Sequence, residues 1–396
     1  MINASMMNLG QQRSVIREIF EYAKKRGAEI GSENVLDFSI GNPSVPAPDS
    51  VNDTIRRLLN ETDSVLLHGY TSAQGDANVR KAMADYSNKT YGITTTADDY
   101  YMTVGAAASL VITMKAIVLP EDEIITFAPF FPEYRVFAEG CGAKLVPVMS
   151  IEGTLQADTV AMEEAINEHT KAILINSPNN PSGVVLSSET LIKIADILKR
   201  KSDEYGHPIY LIADEPYREL VYDDEQVPCI LNYYDNSFVC YSFSKSLSLP
   251  GERIGYILVS PKMQDNREVY AAVCGAGRVL GYVCAPALFQ FVAAECIGQT
   301  ADISIYKRNR DLLVNSLTEY GFDCVRPDGA FYLFMKTPEA DASAFCEKAK
   351  KFELLLVPAD SFGCPGYVRI AYCVQTEQIE RALPAFKALA KEYGLC

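Results

Sequence analysis

The sequence predicts an α/β protein, with a mostly parallel central sheet covered by helices on both faces and a smaller α+β part beside it. Apolar runs of strand length alternate with longer segments of helical period. Those runs are apolar almost without interruption, as strands buried on both faces require. Past residue 290 the pattern changes to short strands between two long amphipathic helices.

Taken in order, residues 15–23 read as an amphipathic helix, and residues 35–40 as an apolar strand before a Gly/Pro-rich turn. Buried strands are expected at 123–127, 144–148, 172–176, 209–213, 238–242 and 254–259. Between the third and fourth of these, Leu191, Ile194, Ala195 and Leu198 share one helix face, with Lys193, Lys199 and Arg200 turned away. Strand, helix, strand in that order implies right-handed parallel crossovers. Helices at 302–320 and 376–393 then frame strands at 329–335 and 367–371. The expected division is a large domain over 48–290 and a discontinuous small domain of 1–47 and 291–396. The first 47 residues lack a core of their own and are expected to pack on the C-terminal module.

Composition narrows the function. Thirty-six Lys and Arg stand against 51 Asp and Glu, a net charge of −15 that disfavours nonspecific binding to nucleic acid or anionic membranes. The three histidines, His68, His169 and His207, fall in no metal-ligand spacing, so no metal site is expected. Eleven scattered cysteines form no C-x-x-C pair and read mainly as small core residues. No secretory leader or membrane-length apolar run is read, which makes the cytoplasm the expected compartment.

Polar residues cluster just past the ends of three buried strands: Ser177-Pro-Asn-Asn-Pro-Ser-Gly183, Asp214-Glu-Pro-Tyr217 and Ser242-Phe-Ser-Lys245. Ligand crevices of open α/β sheets lie outside these carboxyl ends. Turn propensity accounts for any one cluster. It does not account for an Asp and a Lys at strand ends with no adjacent charge partner.

An amine and a carboxylate converging on a crevice match the needs of pyridoxal phosphate. At these residues the sequence resembles the class I/II aminotransferases, fold-type I pyridoxal-phosphate enzymes of aspartate-aminotransferase type. The resemblance runs from about Gly41 to Arg369. It rests on Asn180-Pro-Ser-Gly183, Asp214-Glu-Pro-Tyr217, Ser242-Phe-Ser-Lys245 with Gly251-Glu-Arg-Ile-Gly255, and Tyr367-Val-Arg-Ile-Ala371, supported by Tyr70-x4-Gly75, Thr103-Val-Gly105, Pro129-Phe-Phe131 and Gly329-Ala-Phe-Tyr332.

The resemblance implies ping-pong amino transfer between an L-amino acid and a 2-keto acid. Lys245 would form the Schiff base and move the proton, and Asp214 would face the pyridine nitrogen. Asn180 and Tyr217 would hydrogen-bond the ring oxygen, and Phe131 would stack on the ring. The phosphate would be held by Gly105, Ala106 and Ala107 at a helix N-terminus, by Ser242 and Arg253, and by Tyr70 of a neighbouring copy, which implies a homodimer. Arg369, with Asn180 and the backbone near Gly41, would bind the substrate carboxylate. Alanines after Gly105 replace the hydroxyl or lysine found in many relatives, and Arg278 is the one candidate for a distal carboxylate.

A β-lyase acting on C–S bonds shares the same cofactor-holding residues and is the alternative. A pyridoxal-binding regulator is a second. A nucleotide-dependent reductase rests only on the glycine run Gly275-Ala-Gly-Arg-Val-Leu-Gly281. Ala128–Pro129 and Asn180–Pro181 are candidate cis peptides.

Overall fold

The computed structural model describes residues 2–11 and 14–396. Near its start, helix α1 (Val15–Ile30) is capped by Ser14, whose hydroxyl accepts from the N–H of Arg17. The central sheet has seven strands: β1 (Tyr100–Thr103), β2 (Glu123–Ala128), β3 (Lys144–Met149), β4 (Thr170–Asn176), β5 (Tyr210–Asp214), β6 (Ser237–Ser242) and β7 (Gly255–Val259). Their spatial order is β1-β7-β6-β5-β4-β2-β3. The run from β3 to β6 is parallel, whereas β7 is antiparallel to both β6 and β1. The six strands read from sequence are all present. Strand β1 is an addition, four fully buried residues on the sheet edge.

Strand alternation explains the unbroken apolar runs. Ile173, Ile175, Leu211, Ala213 and Val239 enter one core. Their neighbours Ala172, Leu174, Ile212 and Phe238 enter another on the opposite face. Helix α2 (Ala106–Ile117) covers the second face with Leu110, Ile112 and Met114, and helix α3 (Ser188–Tyr205) covers the first with Leu191, Ile194 and Leu198. Helix α4 (Asn266–Leu280) lies beside α2. It contains most of the 275–281 glycine run, so no strand-to-helix turn exists there for a dinucleotide.

The C-terminal part builds a four-stranded antiparallel sheet from β8 (Asp323–Val325), β9 (Tyr332–Lys336), β10 (Val357–Pro358) and β11 (Tyr367–Ala371), in the order β10-β11-β9-β8. The N-terminal segment meets it: Leu36 pairs in parallel with Leu354, and Ala371 donates to the carbonyl of Phe38. Among the described residues, no helix is long and apolar enough to cross a membrane. Among the described residues two peptide bonds are cis, Ala128–Pro129 as expected and Ser177–Pro178. Asn180–Pro181 is not cis. It lies inside a turn closed by the Gly183 N–H bonding to the Asn179 carbonyl at 2.8 Å.

Candidate active site

Parallel register sets the site. Asn176 ends β4 directly beside Asp214 at the end of β5, which neighbours Cys240 on β6. Past these ends lies a cavity of about 280 Å³. Gly41, Ala106, Ala107, Phe131, Asn180, Asp214, Tyr217, Lys245 and Arg369 all line it, drawn from segments far apart in the chain.

Asp214 is buried and accepts a 2.6 Å hydrogen bond from the Tyr134 hydroxyl on Oδ2, while Oδ1 has no partner. Burial pushes its carboxyl up to about 7, against an opposing pull from the Tyr134 hydrogen bond. Lys245 follows β6 in a short helical turn, and its Nζ donates to the Gly41 carbonyl at 2.8 Å. No acidic side chain pairs with it among the described residues, and burial lowers its amine to about 8.

Arg369 is the third unpaired charge. It sits on β11 at 2% exposure and donates to Asn180 Oδ1 at 3.1 Å and to the Ser39 carbonyl at 2.5 Å. Its Nε has no partner, and no carboxylate among the described residues forms an ion pair with it. The guanidinium lies over the Tyr332 and Phe362 rings, at 4.6 and 5.1 Å. A buried cation held by neutral groups lacks an anion, which a small acid can supply. The cation at Arg218 is different, because Glu215 pairs with it at 2.5 Å.

Tyr217 shares a hydrogen bond with Tyr332 at 3.0 Å, and burial raises its phenol well above the ordinary range. Gly41 has to be glycine here, since a Cβ would lie 1.9 Å from the Tyr332 hydroxyl oxygen. Gly105 takes φ +94° at the N-terminus of α2, leaving the N–H groups of the first turn free to face an anion. A Cβ on Gly105 would lie 3.0 Å from Arg253 Nη2, so the guanidinium stands over the same turn. The Ser242 hydroxyl is buried, 2.7 Å from that of Ser244.

Gly105, Ser242 and Arg253 therefore flank the cavity without lining it, and Tyr70 points into solvent at 98% exposure. Arg278 lies exposed on α4 and is not part of the cavity. Sequence reasoning missed Asn176, Tyr134 and Ile16. The Asn176 side chain donates to the Asp214 carbonyl at 2.8 Å and accepts from the Asn180 N–H at 2.6 Å, holding two site loops together. Its place at a strand end, one residue before the Ser-Pro turn, was the available signal. Tyr134 and Ile16 carried none, because each reaches the site only through tertiary packing.

The comparisons with known proteins agree with this geometry. A crystal structure of an aminotransferase from Eubacterium rectale is 58% identical, with 99% of each chain covered and a TM-score of 0.98. The aspartate aminotransferase of Thermus thermophilus, solved with maleate, superposes over 98% of this chain and all of its own with a TM-score of 0.85 at 26% identity. An aspartate aminotransferase of Pyrococcus horikoshii is 29% identical, covering 94% of this chain and 93% of that protein. The family model described as aminotransferase class I and II matches residues 33–386. With that match spanning both sheets and every residue lining the cavity except Ile16, the chain belongs to the class I and II aminotransferases.

Proposed function

We propose that this aminotransferase uses pyridoxal phosphate to move an amino group between an L-amino acid and a 2-keto acid in a ping-pong cycle. The carrying observation is that an amine, a carboxylate and a guanidinium, Lys245, Asp214 and Arg369, line one cavity and, among the described residues, none has an opposite charge beside it. The cofactor answers two of these needs and the substrate carboxylate the third. When bound, it supplies an aldehyde for amines and an electron-accepting ring.

The chain's residues divide the remaining work. The unpartnered Oδ1 of Asp214 is free to accept from a protonated ring nitrogen, and Tyr134 orients the carboxylate for it. Asn180 and Tyr217 reach the ring oxygen, and Phe131 offers a face to the ring. The first turn of α2 at Gly105, Ala106 and Ala107, with Ser242 and Arg253, receives the phosphate. Arg369 binds the substrate carboxylate, with Asn180 and the Gly41 backbone beside it. Lys245 carries the proton to and from the substrate Cα. An amine near 8 can both hold and release a proton at physiological pH.

The enzyme acts as a cytoplasmic homodimer with Tyr70 reaching the partner's phosphate. Support comes from Val65, Leu66, Tyr70 and Val279, left between 68% and 98% exposed. The loop bearing Tyr70 is tied to the 282–284 segment, where Tyr282 and Val283 are also exposed, by the Cys284 N–H bonding to the Ala73 carbonyl. The two-domain division at 48–290 against 1–47 with 291–396 is supported by the backbone pairing of Leu36 and Phe38 with the 353–371 segment.

The test is a half-reaction. Pyridoxal-phosphate-loaded enzyme given an amino acid without a keto acid acceptor should release one keto acid per site and stop. Continuous release of pyruvate and ammonia would mean elimination instead.

A further inference from the structure

Two turns carry the groups assigned to the cofactor and to proton transfer. Asp214 and Tyr217 stand on residues 214–220, at and past the end of β5, and Ser242 and Lys245 on residues 242–246, at and past the end of β6. The sheet ties their starts together, where the Glu215 N–H donates to the Cys240 carbonyl at 2.9 Å. A side chain joins them farther along. Strand alternation sends Cys240 to the α2 side of the sheet and the Tyr241 ring to the α3 side, away from the cofactor cradle. There the ring stacks on Tyr256, with centroids 4.9 Å apart, and meets Phe243 edge-on at 5.0 Å.

Burial raises the Tyr241 phenol well above its ordinary range, so the hydroxyl keeps its one proton. It donates to Oε2 of half-buried Glu219 at 2.9 Å and accepts from the buried Ser246 hydroxyl at 3.0 Å. Arg218, next to Glu219, is engaged elsewhere, with Glu215 at 2.5 Å and over the Tyr91 ring at 4.7 Å. Glu219 thus anchors the bridge in the first turn, and Ser246, the residue after Lys245, anchors it in the second. Tyr241 itself lies outside the cavity lining. The Lys245 amine has to reach both the cofactor and the substrate Cα, and a displacement of about 1 Å at such a group costs on the order of a hundredfold in rate. Resting on the aminotransferase reading above, we infer that Tyr241 is a positioning residue for Lys245, setting the amine-bearing turn against the turn that carries Asp214 and Tyr217. Arg369 stands on β11, in the other sheet, so the substrate carboxylate is held without this bridge.

The test compares three variants. Tyr241→Phe keeps the ring packing and removes the hydroxyl, Ser246→Ala frees only the Lys245 turn, and Glu219→Gln retains an amide oxygen that accepts from Tyr241. All are measured at about pH 8.5, above the Glu219 value of about 7. Steady-state kinetics follow the loaded enzyme with its best amino donor, and stopped-flow mixing follows pyridoxal-phosphate incorporation into the cofactor-free protein. Tyr241→Phe should lower kcat by about tenfold or more with KM within about twofold, and slow incorporation at least about threefold. Ser246→Ala should show the same pattern at about threefold, and it decides the matter if Tyr241→Phe fails to fold. Glu219→Gln should stay within about twofold of wild type in both measurements. Wild-type kcat and incorporation in Ser246→Ala would overturn the inference. So would a fall in kcat matched by an equal rise in KM, the mark of general loosening, or a Glu219→Gln variant as impaired as Tyr241→Phe. A wild-type enzyme that accepts no amino acid would overturn the function instead, and the incorporation rates would still decide the role of Tyr241.

Discussion

The Tyr134 hydroxyl donates to Oδ2 of Asp214 at 2.6 Å, while Oδ1 of the same buried carboxylate has no partner. Half of the carboxylate is thus fixed in place and half is left free. The tyrosine comes from the segment after the cis Ala128–Pro129 bond and the aspartate from the end of β5. This pairing fixes the direction in which the free oxygen can act.

Its titration gives the first prediction. The Asp214 carboxyl moves from 3.8 to about 7 on burial, so the native protein keeps a proton that the unfolded chain releases. Stability of the cofactor-free protein therefore falls as pH rises from about 4 through 7. Half-buried Glu219, also pushed up to about 7, acts in the same direction. Thermal unfolding at pH 5 and pH 8 should show a lower Tm at the higher pH. Asp214→Asn should shrink that difference by several degrees, leaving the Glu219 part, and should cost at least about a hundredfold in turnover. A pH difference of wild-type size in the variant would contradict the assignment.

Arg369 yields a second. Its fork is held open by Asn180 and the Ser39 carbonyl. Lysine at this position keeps the charge and loses the planar geometry. Arg369→Lys should raise KM for the amino acid by about tenfold or more. Steady-state kinetics with the amino donor varied will show it, and an unchanged KM would place the substrate carboxylate elsewhere.

Cofactor capture should follow the Lys245 amine. Burial, with the Arg253 and Arg369 charges adding to it against a pull from Cys373, holds this amine near 8 in the cofactor-free protein. The neutral form is the nucleophile, and its share grows as pH rises through that value. Stopped-flow incorporation of pyridoxal phosphate should accelerate from about pH 6.5 and level off above about 8.5. A rate still climbing steeply toward pH 10.5 would mean an amine with its ordinary titration.

Much of this was legible in the sequence because parallel buried strands write long apolar runs and their ends write polar turns. Asn180, Asp214 and Lys245 each follow such a run, so the sheet brings them together without any further information. Strand β1 was not legible. Its four residues, Tyr100-Tyr-Met-Thr103, are too short to register as a run and gain their strand character only by pairing with β7. The reversal of β7 was hidden too, since an apolar run has no direction. Arg369 was visible as a charge in an apolar strand, but its supports at Ser39 and Asn180 come from other parts of the chain. Ile16 looked like one apolar position on an amphipathic helix, and only the packing of α1 against the Phe362 cluster brings it to the cavity.

The account turns on Lys245 as the amine that takes the cofactor. Borohydride reduction of the pyridoxal-phosphate-loaded enzyme, followed by peptide mass mapping, tests this directly. The phosphopyridoxyl mass should appear on the peptide containing Lys245, at one per chain, and should be absent from a Lys245→Ala variant. The same mass on another lysine, or on none, would contradict every role assigned around it.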